Sequence, residues 1–164
     1  MCNDGLARAS HPFSTQIYMD ELLVSGYASV YNSADKHRDI LLPGVFGNID
    51  LANLKFLLQH DLNCSIGNIC ELQDQKTGLR MSAVIRCNTK HGKRAIDLVQ
   101  HKLVRGLSVG FRIKKYNFDD NHHRIIYSAH LLEISLVSFP ANSRAFIDKQ
   151  RRVIRKTTLQ KPNI

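Results

Sequence analysis

The sequence predicts an α+β protein, a mainly antiparallel β-barrel edged by a few helices. Three observations predict it. Several segments alternate apolar and polar residues with a period of two, short turn-forming stretches separate them, and no regular series of crossover helices joins them.

The elements follow in order. Residues 1–16, which contain Ser, Asn, Gly and Pro and show no sustained period, read as a loose lead-in. Leu22–Tyr31 (LLVSGYASVY) carries the β-branched and aromatic residues of a strand. A polar stretch, Asn32–Asp39, leads to a short apolar ILL run and a Pro43-Gly44 turn. Asn53–His60 alternates so that Leu54, Phe56, Leu58 and His60 share one face, and Gly78–Cys87 does the same with Leu79, Met81, Ala83 and Ile85. Asn88-Thr89 offers helix-capping chemistry ahead of Ala95, Leu98 and Val99, which predicts a helix over Lys90–His101. Leu103–Tyr116 reads as a long strand, followed by an Asp-Asp-Asn-His-His turn and two strands, Arg124–Ser128 and His130–Phe139. After Pro140-Ala141-Asn142, Asn142 or Ser143 caps a predicted last helix striped by Phe146, Ile147, Val153 and Ile154. The expected organisation is a lead-in at 1–16, a core domain at 17–148 and a basic C-terminal helix or tail at 149–164.

A chain of 164 residues with 43% apolar and 23% charged residues can bury a core of its own. The net charge of +9 is unevenly placed. From Arg144 onward there are seven basic residues and one acidic, a net of +6, which leaves +3 for residues 1–143. A nucleic-acid-binding barrel predicts aromatic residues on a basic exposed face, whereas here the positive charge gathers in the last segment. Nucleic acid is therefore not the expected partner. Cys2, Cys64, Cys70 and Cys87 form no Cys-x-x-Cys pair, so no metal and no cofactor is expected. The first residues contain no apolar targeting run and no segment approaches 18 uninterrupted apolar residues, which points to a cytoplasmic protein without a membrane span.

The informative segment is LVRGLSVGFRIK, Leu103–Lys114. Read as a strand, it puts Leu107, Val109, Phe111 and Ile113 on one face and Gly106, Ser108 and Gly110 on the other. A hydroxyl between two missing side chains is accessible to an extended polypeptide, as a nucleophile must be. The same pattern also suits a sheet packed closely on a neighbour. A serine needs a base, usually histidine. Among eight histidines, His60 stands at the end of an apolar strand face, while His122 and His123 lie in a polar turn and His101 ends the helix. A third group must orient the base. Glu133 lies in the apolar strand HLLEISLVSF and shares a face with Ser135; Asp61 and Asp97 are rivals.

The ordered segments GYASVYN, ILLPGVF, LLQHD, TGL, GLSVGF and LLEISLVSFPANSRA resemble the prohead maturation proteases of tailed phages, over roughly Tyr27–Ala145. Those enzymes are similar in fold to the herpesvirus assemblins, serine peptidases built on an antiparallel β-barrel. The resemblance implies Ser108 as nucleophile, His60 as general base and Glu133 as the group that orients it, although assemblins place a second histidine in the third role. It implies acyl-enzyme proteolysis of scaffold and major capsid protein inside the procapsid, in the cytoplasm of a bacterial host, with self-cleavage. Backbone N–H groups beside the glycines, or Arg144, are candidate oxyanion donors. A homodimer or higher oligomer is an open expectation, and the alternative function is a catalytically silent capsid-assembly protein of the same fold.

Overall fold

The computed structural model describes residues 15–159, with side chains over 20–154. Eight strands and one helix follow in the order β1 (Thr15–Val30), β2 (Asp39–Leu41), β3 (Lys55–Leu58), β4 (Asp61–Gln75), β5 (Gly78–Arg86), α1 (Lys90–Gln100), β6 (Gly106–Phe118), β7 (Arg124–Val137) and β8 (Ile147–Leu159).

The predicted alternation places the core. In β1, Leu22, Val24 and Ala28 point inward, and in β5 Leu79, Met81, Ala83 and Ile85 do so, all of them buried. Phe56, Ile66, Leu107, Ile134 and Leu136 complete the interior. Each such side chain contributes about 1.5–3 kcal/mol when fully enclosed. Helix α1 begins at Thr89, whose hydroxyl accepts the Gly92 N–H, and it buries Ala95, Ile96 and Val99. It rests against β4 and β5.

The strands form one sheet in the order β2-β7-β3-β4-β5-β1-β8, with β6 paired to β7. Strand β6 runs antiparallel along β7, and β2 and β3 run parallel to it on its other edge, β2 beside Arg124–Ile126 and β3 beside Glu133–Leu136. The other ladders are antiparallel. The start of β6 meets the approach to β8 at one bridge, Gly106 with Phe146, flanked by hydrogen bonds from Leu107 N to Ala145 O and from Ile147 N to Arg105 O. No ladder continues from it. The expected closed barrel is therefore corrected to a curled, open sheet.

Two further expectations are corrected. The segment predicted as a helix beyond Asn142 is strand β8, paired with β1 from Gly26–Ile147 to Thr15–Leu159. Its side chains from 148 to 154 are exposed apart from half-buried Val153, so little apolar burial marks it in the sequence, and a twelve-position ladder outweighs helical propensity. Only α1 remains of the expected helices among the described residues. Residues 124–137, read as two strands, form the single β7, because β6 pairs with it throughout. Strand β4 carried no sequence signal, since most of its side chains are exposed or half-exposed. The lead-in expected at 1–16 lies outside the described residues except for Thr15 and Gln16, which belong to β1, and the tail beyond Leu159 lies outside them too.

Candidate active site

Six polar residues are buried among the described ones: Glu21, Ser29, Asp39, Ser108, Glu133 and Ser135. Buried polar groups are costly unless bonded, so their placement is informative. Three of the six meet on the β6–β7 ladder. Ser108 faces Ser135 and Gly110 faces Glu133 across the two strands. Because residues two apart share a face, Ser108 and Gly110 lie beside Ser135 and Glu133 on one surface of the sheet.

Of the two reasons the sequence offered for the glycines, close packing is the one that Gly106 and Gly110 show. A Cβ added at Gly110 would fall 2.9 Å from the Glu133 carboxyl carbon, so the glycine makes room for the carboxylate. One added at Gly106 would fall 2.6 Å from the Val137 carbonyl oxygen and 2.8 Å from Pro140 Cδ. Both positions are shaped by close packing within the protein, not by an opening for an extended chain.

His60 arrives from the adjoining hairpin. Leu58 pairs with Asp61, leaving Gln59 and His60 as a two-residue turn with φ of +54° and +60°. Positive φ at both central residues is the pattern of a type I′ turn, which ordinarily selects Asn and Gly. The turn is fastened to β7: Gln59 N–H donates to Leu136 O (2.9 Å), Gln59 Nε2 to Ser138 Oγ (2.7 Å) and His60 N–H to Ser135 Oγ (3.2 Å). These bonds offset the strain of holding non-glycine residues there. The predicted face shared by Leu54, Phe56, Leu58 and His60 therefore breaks at the turn, which swings the imidazole out of the core and over Glu133.

The imidazole Nδ1 lies 2.7 Å from Glu133 Oε1, and the other carboxylate oxygen accepts the Ser135 hydroxyl at 2.6 Å. The carboxylate is buried while the His60 side chain is 46% exposed. With Nδ1 committed to the carboxylate, Nε2 is the nitrogen left to act on a neighbour. His60 and Ser108 line the same cleft, of about 360 Å³, walled also by Asp39, Phe139 and Asn142. Ser108 is 8% exposed, and no hydrogen bond joins it to His60 among the described residues. Nucleophile–base contacts of this kind commonly tighten only on substrate.

The structure thus brings Ser108, His60 and Glu133 together. Among the described residues the carboxylate bonded to the imidazole is Glu133, not the rivals Asp61 or Asp97. Asp61 accepts the Asn63 N–H and the Cys64 thiol, which hold its carboxyl below the usual range. Arg144 does not line the cleft. His101 sits at the end of α1 on the Asp97 carbonyl, and His123 pairs with Asp119. Sequence reasoning missed His37, which lines the cleft, and the Asp39–Arg124 pair in its wall. It placed Ser135 beside Glu133 without giving it a role. A serine inside the otherwise apolar run ISLV, on the same face as Glu133, was the available signal.

The cleft thus carries a hydroxyl and an imidazole, with a buried carboxylate bonded to the imidazole from behind. The chain belongs to the caudovirus prohead serine protease family, whose sequence model matches residues 13–160. It is 33% identical over 141 residues to the prohead protease of Enterobacteria phage HK97, covering 80% of this chain and 61% of that protein. It is 27% identical over 144 residues to the capsid polyprotein of Pseudomonas phage PAJU2, covering 84% of this chain and 21% of that protein. The chain thus spans less than two thirds of either relative, 61% of the first and 21% of the second. Among solved structures it is similar to the varicella-zoster virus protease (TM-score 0.47, 12% identity, 80% of this chain and 64% of that one). It is also similar to the KSHV protease in complex with a hexapeptide phosphonate inhibitor (TM-score 0.46, 12% identity, 81% and 65%).

Proposed function

We propose that this protein is a serine endopeptidase that cleaves scaffold and major capsid protein during prohead maturation, acting inside the procapsid. The observation that carries the reading is the 2.7 Å contact between His60 Nδ1 and Glu133 Oε1, made at the cleft that Ser108 also lines. Family membership supports the reaction class, and the likeness to a protein named as a capsid polyprotein supports a capsid substrate.

The chemistry follows from the groups. Glu133 keeps the proton of His60 on Nδ1 and stabilises the imidazolium as it forms. Nε2 takes the proton of the Ser108 hydroxyl while its oxygen bonds to the scissile carbonyl carbon. The tetrahedral species collapses as His60 returns that proton to the leaving amine, which leaves an acyl ester on Ser108. Water, deprotonated by His60, attacks the ester and restores the hydroxyl. The second reading, a silent assembly protein, has no reason to keep a buried carboxylate bonded to an imidazole beside a serine.

Co-expression with the cognate coat and scaffold proteins, followed by mass spectrometry of new N-termini, tests the proposal. New termini are expected with the unaltered chain and none with Ser108→Ala or His60→Ala. Unchanged cleavage in both variants overturns the assignment.

A further inference from the structure

We propose that Ser135 is a positioning residue for the reaction, a hydroxyl that locks the Glu133 carboxylate and the His60 main chain into one unit. The proposal deepens the reading above and rests on it.

Ser135 has no exposed surface, stands between the fully buried Ile134 and Leu136, and does not line the cleft. It therefore touches no substrate. A hydroxyl in such a place is costly unless it is bonded, and this one is bonded in both directions. Its Oγ donates to Glu133 Oε2 at 2.6 Å and accepts the His60 N–H at 3.2 Å. The donated bond is short and goes to a carboxylate, which makes it the stronger of the two.

The two oxygens of Glu133 are thus divided between Ser135 and the imidazole. Without the hydroxyl, one carboxylate oxygen is stranded in the sheet and the side chain is free to rotate away from His60. The second bond acts on the other partner. His60 has positive φ in a tight turn, and the Ser135 hydroxyl receives the N–H of that strained residue. Ser135 also stands at a junction of strands, opposite Ser108 on β6 and beside Leu57 on β3. A single side chain thereby ties the turn that carries the base to the acid that orients it, while the Ser135 backbone pairs with the strand that carries the nucleophile.

The test uses the full chain and a rhodamine-tagged fluorophosphonate. In that reaction the Ser108 oxygen bonds to phosphorus, the P–F bond breaks, fluoride leaves and the hydroxyl proton passes to His60. Labelling is resolved into KI and kinact at a temperature where thermal melts show every variant folded. For Ser135→Ala, kinact is expected to fall about 10- to 100-fold with KI nearly unchanged. Ser135→Thr, which keeps the hydroxyl, is expected to recover most of the loss. In a Glu133→Gln background, Ser135→Ala is expected to cost less than about threefold, since its effect runs through the carboxylate. A wild-type kinact in folded Ser135→Ala overturns the proposal, and so does a full additive loss in the Glu133→Gln background. Wild-type labelling of Ser108→Ala is a different failure, because it removes the nucleophile assignment whatever Ser135 does.

Discussion

The carboxyl group of Glu133 lies over the backbone of Gly110, where a side chain at position 110 would begin. The two residues face each other on adjacent strands, and the same carboxylate bonds His60. The missing side chain at 110 is therefore a condition for the Glu133–His60 contact.

Gly110→Ala tests that dependence. The added methyl group must displace the carboxylate or part the two strands, since the ladder offers no other relief. Overpacking of this kind costs about 1–3 kcal/mol. Proteolysis should fall at least about tenfold as the imidazole loses its anchor. Urea titration and the rate of coat-protein cleavage measure the two effects. Wild-type values for both would mean that the carboxylate is not confined by this contact.

Glu133→Gln preserves shape and removes charge. The amide still fits beside Gly110, but it no longer stabilises a positive imidazolium. A loss of about 10²- to 10⁴-fold in kcat is expected, with KM little altered. A rate within about threefold of wild type would pass the orienting role to another group at the cleft, and His37 is the candidate there.

Much of this site is legible in the sequence because strand alternation is local. The pattern around Ser108 and Glu133 states which residues share a face, and the Asn88-Thr89 cap fixes the start of α1 within a residue or two. What stays hidden depends on residues distant in the chain. Gly110 reads as either an opening or a close contact because the group that fills it is twenty-three residues further on, across a ladder. His60 reads as the last residue of a strand because nothing local announces a type I′ turn built from Gln and His. Strand β8 reads as a helix because its partner, β1, lies near the opposite end of the chain. Strand β4 lacks a continuous apolar face, and its pairing with β3 and β5 defines it instead.

The ion pair between Arg80 and Asp148 ties β5 to β8 and gives the fold an acid-sensitive element. Two bonds of 2.8 and 3.0 Å join the groups, and Arg80 holds the Asp148 carboxyl below its usual 3.8. A depressed carboxyl value means stability that is present above pH 3.8 and lost as the pH falls through the lower folded-state value. Both side chains are partly exposed, so the contribution is about 1 kcal/mol or less. Asp148→Asn should therefore lower the melting temperature slightly at pH 7 and narrow its drop between pH 5 and pH 2. Melting curves for both proteins that stay parallel over that range would show that the pair carries none of the acid sensitivity.

Arg124 and Asp39 give the strongest stability prediction. Asp39 is buried in the wall of the cleft, and Arg124 meets it with two bonds of 2.7 Å, from Nε and Nη2. The carboxylate in turn raises the Arg124 guanidinium above its ordinary value. This pair fastens β2, a strand of three residues, to the start of β7. Arg124→Ala leaves a carboxylate in a poorly solvated wall without its counter-ion. Breaking a fully buried pair costs about 3–5 kcal/mol, and because Arg124 is partly exposed a loss of about 2–3 kcal/mol is expected here. Asp39→Asn removes the charge that the single variant strands, so the double variant Asp39→Asn/Arg124→Ala should be less destabilised than the sum of its parts, by at least about 1 kcal/mol. Urea titration of the four proteins closes the cycle. Strict additivity would mean that the two groups act independently and that their ion pair does not fasten the strand beside the cleft.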